Sequence, residues 1–328
     1  MAANNASISK ERAAFNTAAR LGRRRKKNVS RLSTFPLHVM LFPAVVLLFI
    51  YSYLPMAGNV IAFERFNIYK GVAAFWKSKW VGLGNYRELL SMGDPLKVLI
   101  NTVNISVLKM VIGFFVPIIV AILLNEISKS SIKRGLQTVV YMPHFLSWVI
   151  MAGILKQVLS GEGILNNLIA SLGGEKIAFL QSNTWFVPTL VATDIWKNFG
   201  FNTIVYLAAI TSIDPSLYEA AIVDGANRWK QTLNVTLPGM LPIIVLTMVL
   251  SLQGVLNAGF DQIFNLYSPQ VYDTGDIIDT FVYRISFQST TPMYDLATAV
   301  GLFKSVVSLF LISISYWMAY RFANYQIF

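Results

Sequence analysis

Cysteine is absent from the 328 residues, and histidine occurs only at His38 and His144. The first absence excludes disulfides, thiolate metal sites and cysteine nucleophiles. The second leaves zinc chemistry almost without ligands. Charge is also scarce: Asp, Glu, Lys and Arg make up 13% of the chain, about half of what a soluble domain carries. No G-x-x-x-x-G-K followed by Ser or Thr occurs, so the chain is not expected to bind ATP. Paired-carboxylate catalysis has little support. Asp273, Asp276 and Asp279 fall in a polar loop with no evident partner base, and solvated loop charge is the simplest account of them.

What is present is apolar: 55% of residues are hydrophobic and the mean hydropathy is +0.55. That composition predicts an all-α integral membrane protein. Apolar runs predict six spans, near residues 36–56, 98–124, 139–159, 187–210, 240–260 and 297–320. Residues 1–34 form a basic tail, residues 35–97 the first span and an outer segment, and residues 98–328 a core of five spans. The net charge of +11 owes much to the tail, which holds Arg23, Arg24, Arg25, Lys26 and Lys27. Beside a span, such a block orients the protein and meets anionic lipid, so nucleic acid is not expected as a partner. With the tail in the cytoplasm, both termini lie there, as do Lys129, Lys133, Arg134, Arg228 and Lys230. The first outer segment, with Arg65, Lys70, Lys77, Lys79, Arg87 and Lys97, weakens this bias.

One polar stretch, residues 214–238, interrupts the apolar pattern. Asp214 is a good N-cap and Pro215 fits the first helical position, which predicts a helix from Pro215 to about Val223. Ile213 and Tyr218 stand at the spacing of a hydrophobic staple. Gly225 permits a turn that a Cβ would oppose. A second short helix is expected through Trp229 to Val235, with Pro238 and Pro242 opening the fifth span. A capped loop between two spans would explain these signals as well.

The spacing within the stretch is more specific. Glu219-Ala220-Ala221, three residues, Gly225, nine residues, then Val235-Thr236-Leu237-Pro238 resembles the EAA loop of binding-protein-dependent ABC importer permeases, with Val235 standing for the family's Ile. The turn Val81-Gly82-Leu83-Gly84-Asn85-Tyr86 and the segment Tyr141-Met142-Pro143 resemble the carbohydrate-uptake members. Asn257-Ala258-Gly259-Phe260-Asp261 resembles the polysaccharide branch, which includes alginate and pectin-oligosaccharide permeases. The resemblance covers most of the chain from about residue 36. It implies a type I ABC importer permease fold with a cytoplasmic coupling helix between the fourth and fifth spans. It also implies that Glu219, Ala220, Ala221, Gly225, Leu237 and Pro238 engage a separate ATPase dimer, which holds the ATP and Mg; this chain would need no cofactor. A second similar permease, an extracytoplasmic solute-binding protein and an oligosaccharide would be the other partners, in the cytoplasmic membrane of a bacterium.

Ionisable residues inside spans usually face a cavity or a partner. Lys109, Lys156, Lys197 and Lys304 qualify. Asp194 is one turn from Lys197, where the two could pair along the helix and neutralise each other instead of serving a pathway, and Lys156 suits an outer interface. Trp148, Asp194, Trp196, Lys197, Asn198, Gln253, Asn257 and Phe260 are candidates for a substrate pathway, although each alone could serve packing. The lysines hint at an acidic saccharide. An ion-coupled secondary transporter, an ABC permease for a non-sugar solute and a membrane enzyme or scaffold are the rival readings. No convincing internal repeat favours the first.

Overall fold

The computed structural model describes residues 31–323. The all-α expectation is borne out: among the described residues the only strands are β1, Glu64–Arg65, and β2, Lys79–Trp80, which pair antiparallel. Two bodies are distinguished, one up to Val60 and one from Ile61 onward. In the first, α1 (Arg31–Leu48) continues through a π turn at Phe49–Tyr53. The helical run Pro36–Phe63 is long and apolar enough to cross a membrane. Pro36 and Pro43 lie inside α1 without ending it. Leu41, Phe42 and Leu48 are exposed on it, leaving an apolar surface.

The second body contains α2 (Gly84–Ser91), α3 (Asp94–Asn125), α4 (Ser130–Tyr141), α5 (Trp148–Val158), α6 (Ile164–Ser171) and α7 (Asn183–Thr211). After these come α8 (Pro215–Val223), α9 (Arg228–Gly254), α10 (Phe260–Leu266), α11 (Ile278–Tyr283) and α12 (Tyr294–Ala323). Of these, α3, α9 and the Tyr294–Trp317 part of α12 are also long and apolar enough to cross a membrane.

Three spans differ from the sequence expectation. The third is broken. A 3-10 turn at Met142–Phe145 separates α4 from α5, and the two helices are bent by 102°. Pro143 lacks the N–H that a continuous helix needs, and Ser147 caps the new helix by accepting from the Ile150 amide at 3.3 Å. The fourth, α7, has 29 residues, or about 43 Å of helix. Its interior carries Asp194, Lys197, Asn198 and Asn202, so it is less apolar than the four runs that qualify on length and composition. The fifth begins at Arg228 rather than near residue 240. The short helix expected through Val235 is therefore the first part of α9. A π turn at Thr232–Thr236 precedes Leu237 and Pro238, and such turns accommodate interruptions of the helical ladder. Helix α9 ends at Gly254. Asn257 lies outside it, and Phe260 opens α10 behind Gly259 at φ +92°.

Three buried clusters hold the second body together. Ile105, Met151, Phe186, Leu190, Ile263 and Ile277 form one. Ala62, Leu89, Val98, Phe281 and Leu296 form another. Ile118, Ala121, Tyr206, Ile210 and Met240 form the third. Helix α3 contributes to all three and α7 to two, so this pair is the spine of the body. Without a hydrophobic drive between helices in lipid, close packing and hydrogen bonds do the holding. A Cβ on Gly200 of α7 would lie 2.1 Å from the Val140 carbonyl oxygen of α4, so only glycine permits this approach. Thr203 of α7 donates to the Pro117 carbonyl of α3 at 3.4 Å, and the Tyr206 and Thr247 hydroxyls meet at 2.9 Å between α7 and α9.

Candidate functional site

The polar stretch folds as its cap signals predict. Helix α8 spans Pro215–Val223, and the Asp214 side chain accepts from the Ser216 amide at 2.9 Å. That amide holds the Asp214 carboxyl below its ordinary value. Gly225 adopts φ +76°, and the Ala226 amide returns to the Ala221 carbonyl at 2.8 Å. The Asn227 side chain then caps α9 by accepting from the Lys230 amide at 2.9 Å. Tyr218 turns inward to meet the Thr236 hydroxyl at 2.9 Å. Ile213 lies against Gly239 instead: a Cβ there would come within 2.6 Å of it. These contacts fasten α8 to the start of α9.

The rest of α8 is uncovered. No residue of the helix is buried, and Leu217, Ile222 and Val223 are exposed, with Trp229 beside them. Glu219, Ala220 and Gly225 are exposed and Ala221 half-buried. Leu237 turns into the cluster around Met240, and Pro238 is exposed. The small side chains of Ala220 and Ala221 sit between larger apolar ones. Such a surface suits a protein groove better than water.

Further along the body is a polar cavity of about 380 Å³, lined by α3, α7 and α9. Lys109, Asp194, Asn198, Asn202, Tyr206, Thr247 and Ser251 supply its polar groups, and Phe114 and Phe199 its aromatic ones. The Lys109 ammonium lies 3.7 Å from the Asp194 carboxylate. It also donates to the Ala258 carbonyl at 2.6 Å and to the Gln262 side-chain oxygen. Gln262 is wholly buried and donates to the Leu190 carbonyl at 2.8 Å and the Thr193 hydroxyl at 2.9 Å. This network fixes the break after α9 to α3 and α7. The Asn198 amide donates to Asp194 at 3.3 Å, and its oxygen faces His144 Nδ1 at 3.1 Å. His144 stacks on Phe201 with ring centroids 4.1 Å apart.

Asp194 pairs with Lys109 from another helix, so the alternative of an intrahelical pair with Lys197 is not taken. Lys197 turns the other way, donating to the His144 carbonyl at 2.6 Å and standing over the Trp148 ring. The break between α4 and α5 frees those carbonyls, and a lysine one turn along α7 reaches them. Of the pathway candidates, Asp194 and Asn198 line the cavity. Trp148 packs at the edge of the cluster around Phe186, Trp196 is exposed, and Gln253 and Asn257 are exposed at the end of α9 and beyond it. Phe260 stacks on Phe264.

Of the three loop aspartates, Asp273 is exposed, as expected of solvated charge, whereas Asp276 and Asp279 depart from that expectation. Asp273 pairs with Lys97, Asp279 with Lys304 at 2.6 Å, and buried Asp276 with Arg284 at 2.6 Å. Burial pushes the Asp276 carboxyl above its ordinary value, against the hydrogen bonds of Thr280 and Arg284. Much of that polar loop is helical in α10 and α11, which brings these partners within reach. The sequence reading missed Gln262, Asn202, Tyr206, Thr247 and Ser251. Only the polar residues recurring along α7 hinted at a wet face.

A multi-span helical body with a polar cavity and an exposed, capped hairpin helix is the architecture of a transport permease. The profile of the family described as binding-protein-dependent transport system inner membrane component matches residues 113–324, and the chain belongs to that family. The chain is 39% identical to Protein LplB of Bacillus subtilis (strain 168), over 87% of this chain and 89% of that protein. It is 37% identical to the polygalacturonan/rhamnogalacturonan transport system permease protein YteP of the same organism, over 88% of each. The structure matches a chain of a bacterial ABC transporter involved in the import of the acidic polysaccharide alginate, with TM-score 0.81 and 37% identity over 88% of this chain and 96% of that one. A second match is to that transporter in complex with alginate pentasaccharide-bound periplasmic protein, with TM-score 0.81 and 36% identity over 90% and 97%. The fold is accordingly that of a type I ABC importer permease.

Proposed function

We propose that the chain is the membrane-spanning permease subunit of an importer that carries an oligosaccharide into the cytoplasm, driven by a separate ATPase. The single observation that carries the coupling role is helix α8: it is capped at both ends, fastened to α9 through Tyr218, and has no buried residue. Its exposed Leu217, Ile222 and Val223 are the knobs an ATPase groove would receive. Because α8 leads through one turn into α9, a push on it reaches the spans as a rigid-body shift. ATP and Mg would be held by an ATPase dimer, and a second, similar permease would complete the passage. A binding protein would deliver the saccharide from outside, and both termini would lie in the cytoplasm. The sugar reading is supported by the relatives named above, and the hydroxyl and amide lining of the polar cavity suits a saccharide.

The test is uptake by proteoliposomes holding the chain with its partner permease, ATPase and binding protein. Gly225→Trp, which forces a bulky residue into a left-handed turn, should abolish uptake while the binding protein still binds its sugar. Normal uptake by that variant would overturn the docking role. Uptake that persists without the ATPase would favour an ion-coupled carrier.

A further inference from the structure

A second cavity, of about 760 Å³, lies at the end of α7 opposite to α8. The end of α5, the loops at residues 159–161 and 176–181 and the segment at residues 266–270 enclose it. We propose that it is a subsite for the carboxylates of an acidic saccharide, with Lys156 as the group that meets them; this rests on the saccharide-permease reading above.

Three observations support the site. First, its lining contains Lys156 and Lys176 and no Asp or Glu. Lys176 pairs with the exposed Glu162 at 2.8 Å. Lys156 has no carboxylate within ion-pair distance among the described residues, whereas Lys109 and Lys304 are each paired and Lys197 is spent on backbone carbonyls. It therefore remains the intra-span lysine available to an incoming anion. Second, the wall is held in shape before any ligand arrives. Asn166, wholly buried, donates to the Ser160 and Ile177 carbonyls, both at 2.9 Å, and accepts from the Ile177 amide at 2.8 Å. Third, the wall has neutral groups suited to sugar hydroxyls: Ser160, Gln181, Tyr267 and Gln270 line it, and the buried Ser268 hydroxyl has no partner among the described residues. Lys156 sits in the last turn of α5, where the helix dipole favours a cation, and it is exposed.

The probe is trigalacturonate, with maltotriose as the neutral control, on the complete permease and ATPase complex in nanodiscs without binding protein. Acetylation of Lys156 by an amine reagent, read by mass spectrometry, should be slowed several-fold by trigalacturonate and unchanged by maltotriose. Lys156→Gln should raise the half-saturating concentration of trigalacturonate about fivefold, and Lys156→Arg should restore it. Equal protection by both sugars, or by neither, would overturn the subsite. Protection by ligand-free binding protein would assign the cavity to protein docking and would also overturn it. If the full complex imports trigalacturonate while Lys156 stays unprotected, only the subsite fails. If it imports no saccharide, the permease reading beneath it fails.

Discussion

Lys109 is the residue on which the polar cavity turns. Its charge is matched by Asp194, but it also has the Ala258 carbonyl and the Gln262 oxygen. The two partners are therefore unequal. Lys109→Met leaves the Asp194 carboxylate only the Asn198 amide and should cost about 1–3 kcal/mol. Asp194→Asn leaves the ammonium two oxygen partners and should cost less. The double variant should be more stable than the sum of the two predicts. Thermal unfolding midpoints of the purified complex check all three. Asp214 gives a pH prediction of known sign. Its folded value lies below the ordinary 3.8, so the cap contributes fully above the unfolded value and is lost as pH falls through the folded one. Hydrogen-exchange protection of the Ser216 amide should be steady from pH 7 to about 5 and fall below about 4. Asp214→Ala should lower protection at neutral pH and remove that dependence.

At the scale of elements, the broken third span and the long α7 fit each other. Pro143 ends α4, the turn exposes the carbonyls of residues 143 and 144, and Lys197 of α7 takes them. Gly200, one turn further, lets α4 come close enough for that contact. Gly200→Ala should destabilise the complex by about 1–3 kcal/mol through overpacking. Gly153→Ala, where an added Cβ meets nothing within 4 Å, should be close to neutral. Paired melting curves of the two variants test the close approach itself rather than glycine loss in general.

At the scale of the whole molecule, the absence of cysteine is an experimental advantage. Single substitutions Ser216→Cys and Lys129→Cys should react with an impermeant maleimide only from the cytoplasmic face. Lys176→Cys and Ser289→Cys should react only from the opposite face. Labelling of Ser216→Cys and Lys176→Cys from the same side would overturn the proposed orientation. The exposed apolar surface of α1 also predicts a dependence on neighbours: the chain expressed without a second permease should be less stable in detergent than the assembled complex, as size-exclusion profiles would report.

Composition and spacing were enough to read the class of this protein. Few charges and long apolar runs dictate helices in lipid, because backbone groups there must pair within their own segment. Asp214, Pro215 and Gly225 dictate the helix-turn of the hairpin, because caps and left-handed turns are local and act within four residues. The partners of the buried charges were not readable in this way. Whether Asp194 meets Lys197 on its own helix or Lys109 on another depends on helix rotation and on where the third span breaks, and residues far apart in the chain set both. Gln262 was hidden for the same reason: a glutamine in a polar segment becomes a buried clamp only when Gly259 turns the chain back toward α3. Local and compositional forces thus dictate a helical membrane protein with a capped helix-turn at residues 214–238. Which polar groups share a cavity is set by long-range packing, because in a low-dielectric interior each charge must find its partner across helices.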